Sequence, residues 1–99
     1  MEVTISSIHF KADVKLEDFI REKTAKLGKI FDGVIGCDVT LRLDTAANNE
    51  NKIAEIRVMI PGNDLFAKKQ SKTFEQAVDH AVEALRRQVK KHKEKLKGL

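Results

Sequence analysis

Polar and apolar residues alternate in three stretches of the chain, over 2–6, 37–44 and 55–60. A period of two residues is typical of a strand with one buried face, so each stretch predicts a strand. A short fourth strand is predicted over 65–70, because the residues before it, Pro61-Gly62-Asn63-Asp64, form a strong turn sequence.

A polar segment from Thr45 to Lys52 separates the second predicted strand from the third. It contains three asparagines and no large apolar residue. This composition predicts a hairpin loop that joins the two strands.

Two longer stretches follow a period of 3.6 residues and predict helices. The first runs from about Val14 to Lys29, with Asp13 as its N-cap. The second begins after Thr73, the N-cap of a capping box in which Gln76 reaches back to the Thr73 amide. The apolar stripe of the first helix is formed by Leu16, Phe19, Ile20, Leu27, Ile30 and Phe31, and that of the second by Val78, Val82, Leu85, Val89, His92 and Leu96.

The resulting order, β-α-β-β-β-α, predicts an α+β fold in which both helices pack on one face of a four-stranded antiparallel sheet. This architecture is similar to that of double-stranded RNA-binding domains, with an extra strand in front. The length of 99 residues suits one hydrophobic core, so we expect a single domain over 1–99. The end of the last helix, 86–99, is expected to project beyond the sheet or to fray.

The formal net charge of +4 conceals an asymmetry along the chain. Residues 1–85 carry 12 basic and 14 acidic side chains, whereas residues 86–99 carry seven basic and one acidic. Such segregation indicates a polyanionic partner, either nucleic acid or an anionic membrane surface, although it can also mark a merely solvated helix end. The last helix is basic on every side except a narrow apolar stripe, and a membrane-binding helix needs a broad one, so nucleic acid is favoured.

Lys23 gives a second indication of a binding surface. On a helical wheel it falls inside the apolar arc of the first helix, between Phe19 and Leu27. A lysine in that position lays its methylenes over its neighbours and carries its ammonium to an edge. We expect this edge to face a groove between the two helices, with Lys26 and Lys29 on the adjoining flank. The alternative is that Lys23 only covers the margin of the core.

The predicted outer face of the sheet carries Thr, Asp, Arg and Glu, and the chain has no Tyr or Trp. Proteins that read single-stranded RNA on a sheet use aromatic residues for base stacking. We therefore predict binding to folded RNA through phosphates and shape, by basic side chains on the helices.

No constellation of residues in the sequence predicts catalysis or a metal site. The histidines, His9, His80 and His92, lack the spacing of a zinc motif, and there is no glycine-rich phosphate loop. Cys37, the single cysteine, is predicted to face inward as a small hydrophobic residue. We expect no enzyme, no cofactor and no small-molecule substrate. Without a disulfide framework, signal peptide or long apolar stretch, the sequence favours a cytoplasmic protein with no membrane contact.

Several short stretches occur in an order and spacing that together are specific. They are Ile8-His9-Phe10, the segment 22–27 leading to Phe31-Asp32, and the Pro61-Gly62 turn. The most specific part is in the last helix, where Ala77-Val78-Asp79 is followed by Leu85-Arg86-Arg87-Gln88-Val89-Lys90-Lys91-His92-Lys93. In these features the chain resembles, over essentially its whole length, the ribosome hibernation promoting factor and ribosome-associated translation inhibitor family, also known as sigma-factor modulation proteins.

The resemblance implies a translation inhibitor that binds ribosomal RNA in the small ribosomal subunit, in the channel between its head and body. There it would block messenger RNA and transfer RNA and keep ribosomes silent in stationary phase or stress. The family's basic helix residues contact ribosomal RNA, and the matching positions here are Lys23, Lys26, Arg86, Arg87, Lys90, Lys91 and Lys93.

Two features depart from the family pattern. Many members begin the last helix with Asp-x-Tyr, whereas this chain has Thr73-Phe74-Glu75, so no contact of that tyrosine carries over. Long members have a C-terminal domain that pairs two ribosomes; this chain resembles a short form, for which ribosome dimerisation would need another protein. The alternative function is a general nucleic-acid-binding or transcription-modulating protein, which predicts comparable affinity for duplex DNA and for ribosomes.

Overall fold

The computed structural model describes residues 1–46 and 49–98 of the chain. Six elements follow one another as strand, helix, three strands and helix, which confirms the predicted α+β order. They are β1 (Glu2–Ser7), α1 (Val14–Ile30), β2 (Gly36–Leu43), β3 (Lys52–Ile60), β4 (Asn63–Ser71) and α2 (Phe74–Leu96).

The four strands form one mixed sheet in the order β1-β2-β3-β4. The pairs β2–β3 and β3–β4 are antiparallel, but β1 is parallel to β2, so the prediction of a wholly antiparallel sheet is wrong. The reason is that α1 carries the chain back to the end of the sheet where β1 began, and β2 then runs beside β1 in the same direction. Gly36 opens β2 because a Cβ there would lie 2.6 Å from the carbonyl oxygen of Glu2, so only glycine permits this approach.

One apolar row from each strand lies on the inner face of the sheet, under the helices. In register, Val3 lies beside Cys37, and Val58 links Cys37 to Leu65 on the far strand. Burial of this face against the helices supplies the main stabilising free energy, about 25 cal/mol for each Å² of apolar surface removed from water. The largest fully buried side chains are Ile20, Leu27, Leu41, Ile56 and Leu85.

The helices α1 and α2 lie side by side and run in the same direction, as the aromatic contacts at their two ends show. Phe10, before α1, stacks on Phe74, the first residue of α2, with ring centroids 4.9 Å apart. At the other end Phe31, just after α1, meets the ring of His92 edge to face at 5.5 Å. The C-terminal ends of both helices therefore lie at the same end of the molecule.

Both helices begin at the predicted caps. Asp13 Oδ1 accepts a hydrogen bond from the Leu16 N–H at 2.8 Å, and Thr73 Oγ1 accepts one from the Gln76 N–H at 3.0 Å. Within the described residues the Gln76 side chain makes no return bond to the Thr73 amide, so the reciprocal half of the predicted capping box is wrong. One side-chain oxygen at the N-terminus of each helix is enough to satisfy an otherwise free N–H.

β3 begins at Lys52, three residues earlier than the sequence pattern predicts. Ile53 and Ala54 are both buried and both pair with β2, although they stand next to each other and interrupt the alternation. The loop between β2 and β3 spans 44–51, one residue earlier than predicted, and its positions 47 and 48 lie outside the described residues.

Gln70 of β4 holds the loop between β2 and β3 against the sheet. Its Nε2 donates to Asp44 Oδ2 at 3.0 Å and to the Glu50 carbonyl oxygen at 2.7 Å. The Gln70 amide, together with the Ala46 N–H, holds the pKa of the Asp44 carboxyl below its usual value. The loop is thus tied to β4 as well as to the two strands that it connects.

Candidate nucleic-acid interface

The character of α2 changes after Leu85. Five of its six buried residues lie at or before Leu85, and this part, the packed half (Phe74–Leu85), has three acidic side chains and no lysine or arginine. The remainder, the basic half (Arg86–Leu96), has six basic side chains, one acidic side chain and a single buried residue, Val89. The packed half therefore fastens the helix to the sheet, and the basic half presents charge.

A groove of about 390 Å³ lies between the end of α1 and the basic half of α2. Its α2 wall is built from residues three or four positions apart, which a helix presents on one face. Four cations and one carboxylate stand along it, so the surface suits an anionic ligand. We call this surface the basic groove; it is lined by Ile30, Arg86, Lys90, Lys93, Glu94 and Lys97.

The basic groove continues toward the end of α1. There a second recess of about 310 Å³ brings Lys29 of α1 together with Lys93 and Lys97. Asp32 also lines this recess and is its one carboxylate. Because both helices end here, cations from two separate elements face the same space.

Lys23 lies at the edge between the two helices, as the sequence predicts, but its ammonium has a protein partner there. Nζ is 3.1 Å from Asp79 Oδ1 on α2 and 5.5 Å from the centre of the Phe19 ring. The Lys23 side chain is 26 % exposed. Lys23 therefore joins α1 to α2, and a contact with RNA stays a prediction.

The seven predicted site residues do not form one cluster. Arg86, Lys90 and Lys93 line the basic groove together, whereas Lys26 on α1 and Arg87 and Lys91 on α2 are exposed outside it. The set of predicted site residues omitted Lys97, although its spacing of four from Lys93 places it on the same helix face.

The outer face of the sheet carries an aromatic residue that the predicted face does not include. Phe66 of β4 pairs with Arg57 of β3 and is 48 % exposed, so the prediction that this face presents only Thr, Asp, Arg and Glu is wrong. The alternation that places Leu65 inward also places Phe66 outward, and this signal was available in the sequence. A single phenylalanine still falls short of the two or three stacked bases that RNA-binding sheets hold on their aromatics.

The three histidines lie on separate parts of the fold. His9 is in the connection between β1 and α1, with a positive φ of 67°, and His92 packs on Phe31. His80 Nδ1 lies 3.3 Å from Ser71 Oγ, which ties α2 to the end of β4. Across 1–46 and 49–98, no group of three or more histidine, cysteine or carboxylate side chains is placed to hold a metal ion.

Cys37 is fully buried on the inner face of β2, as predicted. Burial, with a smaller contribution from the neighbouring charge of Asp38, raises the pKa of its thiol from 9.0 to about 11. A thiol in this state is neutral at physiological pH and therefore a poor nucleophile.

Among the residues that the structure describes, no helix is both long enough and apolar enough to cross a bilayer.

Comparison with known sequences finds a match to the family model described as "Sigma 54 modulation protein / S30EA ribosomal protein" over residues 3–97. The chain is 31% identical over 99 residues to the ribosome hibernation promoting factor of Pseudomonas putida, and the match covers 100% of this chain and 93% of that protein. It is 30% identical over 98 residues to the ribosome hibernation promotion factor of Bacillus subtilis, covering 97% of this chain and 50% of that protein.

Two solved structures have a similar fold. The N-terminal domain of Protein Y from Thermus thermophilus superimposes with a TM-score of 0.80 at 26% identity, over 93% of this chain and 99% of that chain. A ribosomal subunit interface protein from Coxiella burnetii gives a TM-score of 0.78 at 21% identity, over 94% of this chain and 98% of that chain. The second likeness is one of fold.

Proposed function

Since the chain belongs to the Sigma 54 modulation protein / S30EA ribosomal protein family, we propose that it is a cytoplasmic factor that binds the small ribosomal subunit and blocks translation. Its role is in ribosome hibernation, which the names of its relatives in Pseudomonas putida and Bacillus subtilis support. The family is one of ribosome hibernation factors, so the proposed activity is binding without chemistry.

The basic groove is the observation that carries this proposal. Its lysines come from a helix end whose basic half buries only Val89, so they are available to a partner, whereas Arg86 Nη1 also lies 3.2 Å from Glu83 Oε1 at the exposed surface. Arginine and lysine hold phosphate oxygens through charge-assisted hydrogen bonds, and such contacts need no particular base sequence. The backbone of a folded ribosomal RNA has this chemistry.

The proposed mechanism is steric. With its basic helix surface on ribosomal RNA in the decoding region, the domain occupies space that messenger RNA and transfer RNA need. A second protein is proposed as the partner in any pairing of two inactive ribosomes. The proposed contacts with ribosomal RNA are Lys23, Lys26, Arg86, Arg87, Lys90, Lys91 and Lys93.

Sedimentation with purified ribosomal subunits over a range of salt concentrations tests the proposal. Wild-type protein is expected to sediment with small subunits and whole ribosomes, with an affinity that falls steeply as salt is raised, because each neutralised phosphate releases counterions. The triple variant Lys90→Glu, Lys91→Glu, Lys93→Glu is expected to lose binding.

A matched control carries the same three charge reversals at Lys11, Lys15 and Lys72, which are exposed and outside the basic half of α2. The control is expected to sediment like wild type, and circular dichroism shows whether each variant is folded. Unchanged sedimentation of a folded Lys90, Lys91, Lys93 variant would contradict the proposal.

A general nucleic-acid-binding protein is the second candidate, because cations that contact phosphates do not by themselves distinguish RNA from DNA. Competition between ribosomes and duplex DNA for the wild-type protein separates the two candidates. We expect ribosomes to compete much more strongly. Comparable affinity for both would favour the second candidate.

A further inference from the structure

A second basic recess lies on the other side of α2 from the basic groove. It has a volume of about 240 Å³ and is formed where α2 passes the turn between β3 and β4. The basic groove and this recess share no residue, and α2 separates them. We call it the turn recess; it is lined by Asn63, Leu65, Gln88, Lys91, His92 and Lys95.

The lining of the turn recess is more uniformly cationic than that of the basic groove. Lys91 and Lys95 are its charged residues, and no carboxylate lines it, whereas Glu94 stands in the basic groove. The nearest acidic residue along the turn, Asp64, has Oδ2 4.0 Å from Arg57 Nε on the outer face of the sheet. The polar groups that an anionic ligand would meet in the turn recess are therefore the two ammonium groups, the Asn63 and Gln88 amides and the His92 ring.

One wall of the turn recess is fixed by a hydrogen bond to the sheet. Gln88 Nε2 donates to the carbonyl oxygen of Phe66 at 3.1 Å, which joins α2 to the edge strand β4. His92 is held from the opposite side by its edge-to-face contact with Phe31. The Gln88 and His92 walls of the recess are thus fixed before a ligand arrives, whereas the exposed Lys91 and Lys95 side chains become ordered on binding.

From this arrangement we propose that the turn recess binds the phosphate backbone of a second RNA segment. The basic half of α2 is then held between two segments of ribosomal RNA, one in the basic groove and one in the turn recess. Asn63 and Lys95, outside the sites predicted from the sequence, become contacts in addition to Lys91. This inference rests on the proposed function, since it extends the same interface to the other side of the helix.

The first experiment measures how ribosome binding depends on salt. Removal of both lysines in the variant Lys91→Gln, Lys95→Gln is expected to weaken binding at least roughly tenfold at about 0.1 M salt and to lower the slope of log affinity against log salt by between about 1 and 2. The control Lys11→Gln, Lys15→Gln removes the same charge from the opposite end of the molecule and is expected to keep the wild-type slope.

The outcomes separate the two proposals. If wild-type protein fails to bind ribosomes, the proposed function is wrong. If wild type binds and the Lys91, Lys95 variant keeps the slope of the control, the turn recess makes no phosphate contact. This inference is then overturned together with the proposed Lys91 contact, while ribosome binding by the domain stands.

A second experiment identifies the class of partner in the turn recess. Because Cys37 is fully buried, a new surface cysteine can be labelled selectively with an iron chelate that cleaves nearby RNA. In ribosome complexes, Asn63→Cys is expected to direct cleavage of ribosomal RNA at positions different from those cleaved from Lys29→Cys beside the basic groove. Cleavage from Lys29→Cys but not from Asn63→Cys would overturn the inference and point to a protein or solvent at the turn recess.

Discussion

Along α2, the packed half from Phe74 to Leu85 and the basic half from Arg86 to Leu96 differ in burial and in charge. The packed half lies over β3 and β4 and carries only acidic charges, of which Asp79 pairs with Lys23 of α1. In the basic half, six lysine and arginine side chains crowd onto 11 residues. Like charges this close repel one another, so their clustering does not stabilise the fold of the domain.

The difference shows that one helix serves two purposes in successive segments: packing on the sheet and presentation of charge. The packed half holds α2 on the sheet by apolar burial. Because the helix is continuous, this packing also sets the direction of the basic half. The charge run in the sequence is ambiguous alone, because solvated helix ends look the same. It gains meaning once the structure shows that α1 ends beside it and contributes Lys29 to the same space.

The largest difference between the two halves is expected in stability. Leu85 is fully buried, so Leu85→Ala is expected to lower the free energy of unfolding by about 2–5 kcal/mol through lost burial and the cavity left behind. Leu96 is 63 % exposed, and Leu96→Ala is expected to change it by less than about 0.5 kcal/mol. Urea denaturation measures both, and equal effects would contradict the division of the helix.

A stability measurement at alkaline pH tests whether water is excluded from the core around Cys37, at the end of the molecule where the basic half of α2 lies. The thiol ionises at 9.0 in the unfolded chain and at about 11 in the fold, so its contribution to stability is complete below pH 9.0 and is lost as the pH rises to about 11. The wild type is expected to lose up to ~3 kcal/mol more than Cys37→Ala between these values. Urea denaturation of both proteins at pH 8 and above pH 10 measures this, and parallel losses would mean that the thiol is hydrated.

The smallest expected effect concerns the ion pair that joins the packed half of α2 to α1. Because Lys23 and Asp79 are both partly exposed, their coupling energy in a double-mutant cycle of Lys23→Met and Asp79→Asn is expected to be at most about 1 kcal/mol. Asp79→Asn is also expected to bind ribosomes at least as tightly as wild type, because it removes a carboxylate that competes for the Lys23 ammonium. Weaker ribosome binding by a folded Asp79→Asn would show that Lys23 acts only as a structural link.

Local features of the fold could be predicted from the sequence because their causes are local. At Asp13 and Thr73, the cap side chain accepts a hydrogen bond from the N–H three residues later in the chain. The alternation of a strand depends only on residues next to each other in the sequence. The direction of β1 could not be predicted in this way. It depends on the end of the sheet to which α1 returns the chain, and the alternation within β1 contains no information about this.

The candidate site was predicted in part for the same reason. The helical spacing of Arg86, Lys90 and Lys93 shows that they share a face, and the structure places that face on the basic groove. The partner of Lys23 could not be read from the sequence, because Asp79 is 56 residues away along the chain and adjacent only after the helices pack. The turn recess depends likewise on the approach of Asn63 to α2.

The parallel direction of the two helices has an electrostatic consequence at the basic end. A helix carries roughly half a negative elementary charge at its C-terminus, from carbonyl groups that no N–H satisfies. Both termini lie at the same end, and the terminus of α1 at Ile30 stands beside Lys93 and Lys97. The scaffold therefore offers its own negative pole to the cations of α2 and eases their mutual repulsion. The positive surface is assembled in the free protein, so RNA meets a field that is already in place.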